Sequence, residues 1–450
     1  MNKRFSNRKF IPMVALMLLS VYMQAQQQVH TFSIQDAIAY AKKNNVQVKN
    51  ALIDLQIQEQ TNKSVTAGAL PNISGTASTT AFFQTPVTIV PAEIFGGPPG
   101  TTLALSFQPK YNAGASINLK QVLFDGSVFV GLKARKTALD YYQKAIDITD
   151  ENIRANIYKI YYQLVVSKKQ MEQLDANIAR AEKLLNDARA MQQQGFQEAL
   201  DVDKATVQLA NLQTQKLSTQ SNIDNGYFGL KYLLGMPIKD SLILTENFSE
   251  DNLKRGVLND TAYRYEDRND YQYLLLTEKL GDYNIKRYKY SYWPTINLNG
   301  SFQKNAYANE YNFFKRVGTW YPTSYAGLTI NVPIFSGFEK DANLRKARLQ
   351  QTQVQNQLDN LRISIDNDVS QAQNKFRAAI ITIDFQKKNM VLAESVYNQT
   401  KKKYEIGLAS NTDITNAQTD LITAQTNYIN ALYDGVLAKV DYFKAIGKLP

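Results

Sequence analysis

The sequence predicts a mainly helical chain with a minor β component, in which short strand pairs alternate with long coiled-coil hairpins. Three observations carry this. The stretch from Asn45 to Gly235 recurs as Arg268 to Gly447. From Gly126 to Gln194 there is no proline and no internal glycine except Gly131, and apolar residues step by fours and threes. Early in each copy, polar and apolar residues alternate over runs of strand length.

The recurrence is carried by particular residues. Leu70-Pro71-Asn72-Ile73 answers Trp293-Pro294-Thr295-Ile296 at an offset of 223, whereas Phe124-Asp125-Gly126 answers Phe335-Ser336-Gly337 at 211. Gly195 answers Gly407, and Leu234-Gly235 answers Ile446-Gly447, both at 212. The spacing therefore changes between the two strands of a pair, where a loop would join them. Copies of this kind build equivalent units about a common axis. The expected segments are a signal over 1–25, a first repeat over 26–235, a linker over 236–267 and a second repeat over 268–450.

Taken in order, Lys3, Arg4, Arg8 and Lys9 precede an apolar run from Phe10 to Met23, with Ala25 offering a small residue for cleavage. This reads as an export signal. A retained anchor is the rival, but the run is short of the ~20 apolar residues a spanning helix needs. Ser33 and Asp36 make a capping-box signature before Ile34, Ala37, Ile38 and Ala41 at helical spacing. A second helix, Val46 to Ala67, stops at Gly68 and Pro71. Ile73 to Phe83 and Asn112 to Leu119 read as two strands separated by a Pro/Gly loop through Gly96-Gly97-Pro98-Pro99-Gly100.

In the second copy, Ile296, Leu298, Gly300 and Phe302 alternate with Asn297, Asn299, Ser301 and Gln303. Ala326, Leu328, Ile330 and Val332 alternate with Gly327, Thr329 and Asn331. An ordinary half-buried sheet gives this alternation, and so does a barrel with lipid outside and water within. Aromatics near the strand ends, Tyr292, Trp293, Tyr307, Tyr311, Phe313, Phe314, Trp320, Tyr321 and Tyr325, suit the headgroup layers of a membrane.

The long helix of the first copy carries a seam of Ile153, Ile157, Ile160, Leu164, Met171, Leu174, Ile178, Ala181, Leu185 and Ala188. At ~1.5 Å per residue it is a rod of roughly 100 Å. Its counterpart runs from Gly337 to Ile406. After Gly407 the returning helix places Ile414, Ala417, Leu421, Ala424, Tyr428, Ala431, Gly435, Ala438, Tyr442 and Ala445 on a seam rich in small residues, which permits close approach of neighbours. The linker, with Pro237, is expected to be less regular.

Composition excludes several functions. No cysteine is present, which removes disulfides, thiolate metal sites and a lipid-modified cysteine behind the signal. The formal charge of +11 falls to +7 without the four basic signal residues, and the remaining cations are scattered over helix faces, so nucleic acid is not an expected partner. The only histidine, His30, lies beside the expected cleavage site, and neither a phosphate-cradling loop nor metal-spaced carboxylates are evident. Asp147, Asp150 and Glu151 read as a solvated helix face. An enzyme is not expected, and no cofactor.

Four short strands cannot close a membrane barrel, since known barrels begin at about 8 strands. Open edges cannot face lipid, so several copies must pool their strands, and three would supply twelve. The helices, too polar for lipid, would stand in the aqueous compartment beneath.

With these features the chain resembles the TolC-type outer membrane efflux proteins, from Phe32-Ser33-Ile34-Gln35-Asp36-Ala37-Ile38 to Ile446-Gly447. The most specific pieces are Asn331-Val332-Pro333-Ile334-Phe335-Ser336-Gly337 and Tyr404-Glu405-Ile406-Gly407-Leu408, followed by Asp413-Ile414 and Ala417-Gln418. The resemblance implies a homotrimer in which a twelve-stranded barrel in outer-membrane lipid stands on a periplasmic α-helical coiled-coil barrel. It also implies a periplasmic membrane-fusion adaptor and an inner-membrane transporter of RND or ABC type as partners.

It further implies that the turns at Gly195, Gly407 and Leu408 form the tunnel tip and meet the adaptor. Asp413 matches an aspartate lining the closed tip, and Asp201 with Tyr404 match a hydrogen-bonded pair that holds it shut. A carboxylate ring would favour cations. The plainer reading makes Asp413 and Asp201 helix N-caps. Two departures weaken the expected latch: Asn416 stands where the family carries a second tip aspartate, and Ala409 where it carries an arginine. Among alternatives, a trimeric surface anchor gathers its strands at the C-terminus, a diffusion porin needs more strands per chain, and a structural periplasmic coiled coil would not need the alternating strands. The cargo stays open.

Overall fold

The computed structural model describes residues 29–246, 250–254, 262–313 and 319–449. The expected signal and Phe314 lie outside them. In chain order the elements are β1 (Val29–Phe32), α1 (Ile34–Asn44), α2 (Val46–Ala67), β2 (Asn72–Ala81), β3 (Thr88–Pro91), β4 (Thr102–Leu105), β5 (Tyr111–Phe124), α3 (Gly126–Gln193) and α4 (Ala199–Leu234). Then come β6 (Ser241–Leu244), α5 (Glu250–Lys254), α6 (Asn269–Tyr290), β7 (Thr295–Ala308), β8 (Trp320–Asn331), α7 (Glu339–Glu405) and α8 (Asn411–Ala445). The order α2-β2-β5-α3-α4 returns as α6-β7-β8-α7-α8, and the chain is mainly helical. Two compact units form, one from the described residues of Met1–Asp54, Gln143–Tyr273 and Leu358–Pro450, the other from Leu55–Tyr142 and Leu274–Gln357. Each draws on both halves of the sequence.

The second unit holds an antiparallel sheet of order β2-β5-β7-β8. Residues two apart share a face. Ile73, Leu119, Gly300 and Ala326 form one row and Gly75, Ile117, Phe302 and Ser324 another on the same side, whereas Ser74, Asn118, Ser301 and Tyr325 face the other way. On the apolar side Ile73 is 70% exposed, and Ile117, Phe302, Leu328 and Ile330 are exposed with it, while the edge strands β2 and β8 are open on their other side as well. The polar side is knitted together instead. Ser301 Oγ donates to Asn118 Oδ1 (2.8 Å), Asn118 Nδ2 donates to Ser116 Oγ (3.0 Å), and the Ser116 and Thr76 hydroxyls lie 2.7 Å apart. An ordinary half-buried sheet would cover these apolar side chains.

Two features of the sheet differ from expectation. Strand β5 runs to Phe124 rather than ending at Leu119, because its ladder with β7 continues through an irregularity between Val122 and Phe124. The Pro/Gly loop contains a hairpin of its own, β3 against β4. Aromatic residues cluster at both ends of the strands. Tyr111, Tyr311 and Phe313 meet edge to face at centroid distances of 5.8 and 5.5 Å, with Trp320 packed on the same cluster. At the end leading to the helices, Trp293 stacks on Phe124 at 6.1 Å and meets Tyr290 at 4.9 Å.

The first unit is built on helical seams. Ile153, Ile157, Leu164, Leu174, Ala181, Leu185 and Ala188 of α3 are buried, as is every expected seam position of α8. Helix α1 is capped by Ser33 and Asp36, and Ile34, Ala37 and Ala41 join the main core. The described residues of the linker make long-range contacts. Its β6 pairs in parallel with β1, Tyr162 of α3 donates to Glu246 (3.0 Å), and Glu250 of α5 accepts from Lys387 of α7 (2.8 Å) and Tyr428 of α8 (3.0 Å). Tyr263 and Tyr265 both donate to Asp366 of α7 (2.6 and 3.0 Å). The physical reason is that the linker's own polar groups find partners on three helices, which no local pattern announces.

The ends of α4 and α8 are closed alike. Gly235 and Gly447 have φ of 69 and 70°, and a Cβ on either would lie 2.5 Å from a carbonyl oxygen, of Asn44 or Asp267 respectively. Asn45 Nδ2 donates to the Leu233 carbonyl (2.7 Å), and Arg268 Nη1 donates to that of Ala445 (3.0 Å). The bounds Asn45–Gly235 and Arg268–Gly447, read from sequence, are thus contact pairs.

Candidate functional site at the hairpin turns

The turns α3–α4 and α7–α8 lie in the first unit. Each closes its leading helix with a left-handed glycine, φ 81° at Gly195 and 77° at Gly407. The backbone bonds match. The Gly195 N–H donates to Gln192 O and the Phe196 N–H to Met191 O, both at 2.9 Å; those of Gly407 and Leu408 donate to Tyr404 O (3.0 Å) and Lys403 O (2.7 Å). After each glycine an apolar side chain stands out, Phe196 79% exposed and Leu408 75%. Phe196 was not singled out from the sequence, although the offset of 212 carries Leu408 onto it.

The returning helices begin differently. Ser410 is the N-cap of α8, and Asp413 completes a capping box: the Ser410 N–H and hydroxyl donate to Asp413 Oδ2 (2.9 and 2.7 Å), and the Asp413 N–H donates to Ser410 Oγ (3.1 Å). These bonds hold the Asp413 carboxyl below the ordinary carboxylate value, the side-chain bond from Ser410 most strongly. The N-cap of α4 is Glu198, which makes no side-chain cap. Neither aspartate is therefore the cap residue that the plainer reading makes it. Asp413 is the third residue of its helix and reaches back, whereas Asp201, in the corresponding place, lies 3.8 Å from Lys204 Nζ. Asn416 is exposed on α8 together with Asp413.

Tyr404 is 7% exposed and packs with Tyr397, Ile414, Ala417 and Leu421, with Met191 and Ala409 alongside. Its hydroxyl accepts from Gln197 Nε2 (2.7 Å) and faces Met191 Sδ at 3.9 Å. Among the described residues no hydrogen bond joins Tyr404 to Asp201 within the chain. Gln197 occupies the hydroxyl instead, because it sits in the turn while Asp201 is already on the helix. Asp201 stays near enough for its charge to act on Tyr404. Burial, chiefly, raises the phenol's pKa, and the charges of Asp187 and Asp201 add to this against the Gln197 hydrogen bond. A second tie runs from Asn411 Nδ2 of α8 to the Asp201 carbonyl (3.3 Å), with Asn411 buried. Gln197 and Asn411 carry no sequence signal; only folding brings the turns together.

The site is thus a pair of glycine turns joined by two amide side chains, with exposed apolar tips and, at Asp413, an exposed carboxylate. Among the described residues it offers neither a nucleophile–base pair nor a substrate cradle.

A family described as "Outer membrane efflux protein" matches residues 37–236 and 278–448, leaving out the linker region. The outer membrane protein TolC of Escherichia coli K12 is 22% identical over 344 residues, 74% of this chain and 69% of TolC. The proteases secretion protein PrtF of Dickeya chrysanthemi is 20% identical over 349 residues, covering 75% of this chain and 73% of PrtF. In fold, the crystal structure of the outer membrane protein VceC from Vibrio cholerae matches with a TM-score of 0.72 at 15% identity, over 92% of this chain and 96% of VceC. Two matched stretches in the order of the two sequence copies, on this fold, place the chain in the outer membrane efflux protein family.

Proposed function

We propose that the protein is the outer-membrane exit duct of a tripartite efflux or type I secretion system, passively conducting substrates to the exterior and assembled from three copies of the chain. The observation that carries this reading is the four-stranded sheet. Large apolar side chains on one side are exposed, the polar side is hydrogen-bonded, and its edges, β2 and β8, are open. In hydrocarbon such edges cannot stay unpaired. Because the four strands alternate in direction, β8 of one copy meets β2 of the next antiparallel, and three copies close into twelve strands around a polar lumen. From Ile296 to Ala306 the strand runs about 33 Å, and at the ~40° tilt of membrane strands this is about 25 Å of height, the thickness of an apolar band. The aromatic clusters stand at its two borders.

The helical hairpins then form a periplasmic tunnel from two repeats per copy, 26–235 and 268–450, joined by 236–267. A periplasmic adaptor meets the apolar tips Phe196 and Leu408, and an inner-membrane pump of RND or ABC type supplies cargo. The family's description as an efflux protein and one relative's name as a proteases secretion protein support both routes. Asp413 and Asn416 line the constriction, with Asp201 and Tyr404 behind it. Family membership and the exposed apolar sheet both count against a purely structural coiled coil.

The test is single-channel conductance of the mature trimer in a planar bilayer, wild type against Asp413→Ala. A small cation-selective conductance whose size or selectivity changes with the substitution is expected. A large conductance indifferent to it moves the constriction elsewhere, and folded trimers without conductance remove the duct.

A further inference from the structure

The loop between β2 and β5, residues 82–110, leaves the strands at the ends remote from the helices and is unlike a water-facing loop. Of its residues only Glu93 and Lys110 are charged. The Gly100 N–H binds Glu93 Oε1 (2.7 Å), and the Lys110 ammonium lies 5.4 Å from the Tyr111 ring centre. The loop is also folded. Strand β3 pairs with β4 from Thr88–Leu105 to Pro91–Thr102, Ala92 N–H bonds Thr101 O (2.9 Å), and Phe82 N–H bonds Lys110 O (2.8 Å). On this frame Phe83 is 98% exposed, and Val87, Ile89, Ile94, Phe95 and Phe107 are exposed with it. Holding so many large apolar groups in water forfeits about 25 cal/mol for every Å² left uncovered.

We infer that this loop is a membrane-contacting collar, its apolar side chains seated at the headgroup–acyl boundary of the bilayer that holds the strands. The inference rests on the barrel reading above. Three observations choose lipid over a second copy or the channel mouth. The loop departs from the outward, apolar rows: Phe83 follows Ala81, the last such residue of β2, by two positions, and Tyr111 on the same face resumes the sheet. The Tyr111, Tyr311, Phe313 and Trp320 cluster lies on that face at this level, where rings with polar tips mark a headgroup layer. Near-neutrality suits the boundary, where apolar groups enter by about 5–10 Å, whereas the mouth of a polar lumen gives an uncharged apolar loop no partner.

Because the chain lacks cysteine, single cysteines report one position each. Phe83→Cys, Ile89→Cys and Ile94→Cys, labelled with an environment-sensitive fluorophore, are reconstituted in phosphatidylcholine–phosphatidylglycerol vesicles, with Lys402→Cys as the aqueous reference. Quenching by lipids spin-labelled near the headgroup is expected to exceed iodide quenching by about threefold or more at the loop, and to be reversed at Lys402. Iodide quenching without lipid quenching overturns the collar and leaves the loop in water; shielding from both overturns it in favour of protein cover. As a check free of substitutions, the wild-type trimer in vesicles with a headgroup-photoactivatable lipid should give adducts within 82–110. Adducts confined to the strands would reject the collar while keeping the barrel, and adducts on neither would reject both.

Discussion

The two hairpin turns of this chain share a backbone and differ in chemistry. Gly195 and Gly407 take the same left-handed conformation with the same two backbone bonds, and Phe196 and Leu408 stand out equally. Around that common frame the second turn is fully capped and sends Tyr404 into a core, whereas the first leaves its helix start without a side-chain cap and carries Gln192 at the position 212 residues before Tyr404. The contacts between them are correspondingly one-sided: Gln197 of the first turn serves the tyrosine of the second, and Asn411 of the second serves a carbonyl of the first. The two turns share what the backbone needs at a reversal and differ in what the side chains do there. The second turn is the anchored partner and the first is the one it holds.

The largest expected break in this asymmetry is Tyr404→Ala. Removing a buried aromatic side chain costs about 3 kcal/mol or more and leaves the Gln197 amide without its hydroxyl. Native-state hydrogen exchange at the α7–α8 turn should show that loss, while Gln192→Ala, at the matching place in α3, changes exchange by under about 0.5 kcal/mol. Equal effects at both positions would mean that the turns are energetically alike and that the Tyr404 core does not distinguish them.

A smaller and more pointed test exchanges the caps. Ser410→Ala removes a capping box and should destabilise the start of α8 by about 1 kcal/mol. Glu198→Ser does the converse. It creates Ser-Ala-Leu-Asp with Asp201 already in third position, so the first turn acquires the box of the second and gains about 0.5 kcal/mol in exchange protection at the start of α4. If Glu198→Ser is neutral, contact with Asn411 rather than a missing cap sets the geometry of Asp201.

How much of this could be read from residues alone follows the range of the interactions. Heptad seams, the Ser33–Asp36 box, the turn glycines and the strand alternation are local patterns, and the seam positions and glycine turns stand where their spacing put them. Which side of a sheet is covered is not a local matter, since alternation is the same for either side. The β1–β6 pair joins Val29–Phe32 to Ser241–Leu244, and Glu246 and Glu250 find tyrosines and a lysine on three helices, partners too far away in sequence for a local pattern to show. At the turns the same limit applied. Phe196 was within reach of the 212-residue offset, but Gln197 has Ala409 as its counterpart and nothing along the chain joins it to Tyr404.

The smallest effect concerns pH and ties the second turn to a place remote in sequence. Asp413 and Asp36 sit in identical Ser-x-x-Asp boxes, and in both the bonds from the serine, its side chain first, lower the carboxyl pKa from the ordinary 3.8. A carboxyl whose folded value is depressed contributes stability above its unfolded value and loses it as the pH falls through the lower folded one. The cap contribution should therefore be complete at pH 5 and above and fade below about 3.8, where protonation removes the anion that the Ser410 and Ser33 N–H groups bind. Exchange protection of these two amides, corrected for intrinsic rates, should fall together between pH 5 and 3, with the uncapped start of α4 as the internal reference. A fall at Ser33 without one at Ser410 would show that contacts of the assembled turn, and not its box, hold Asp413 in place, and the second turn would then owe its order to its neighbours as the first does.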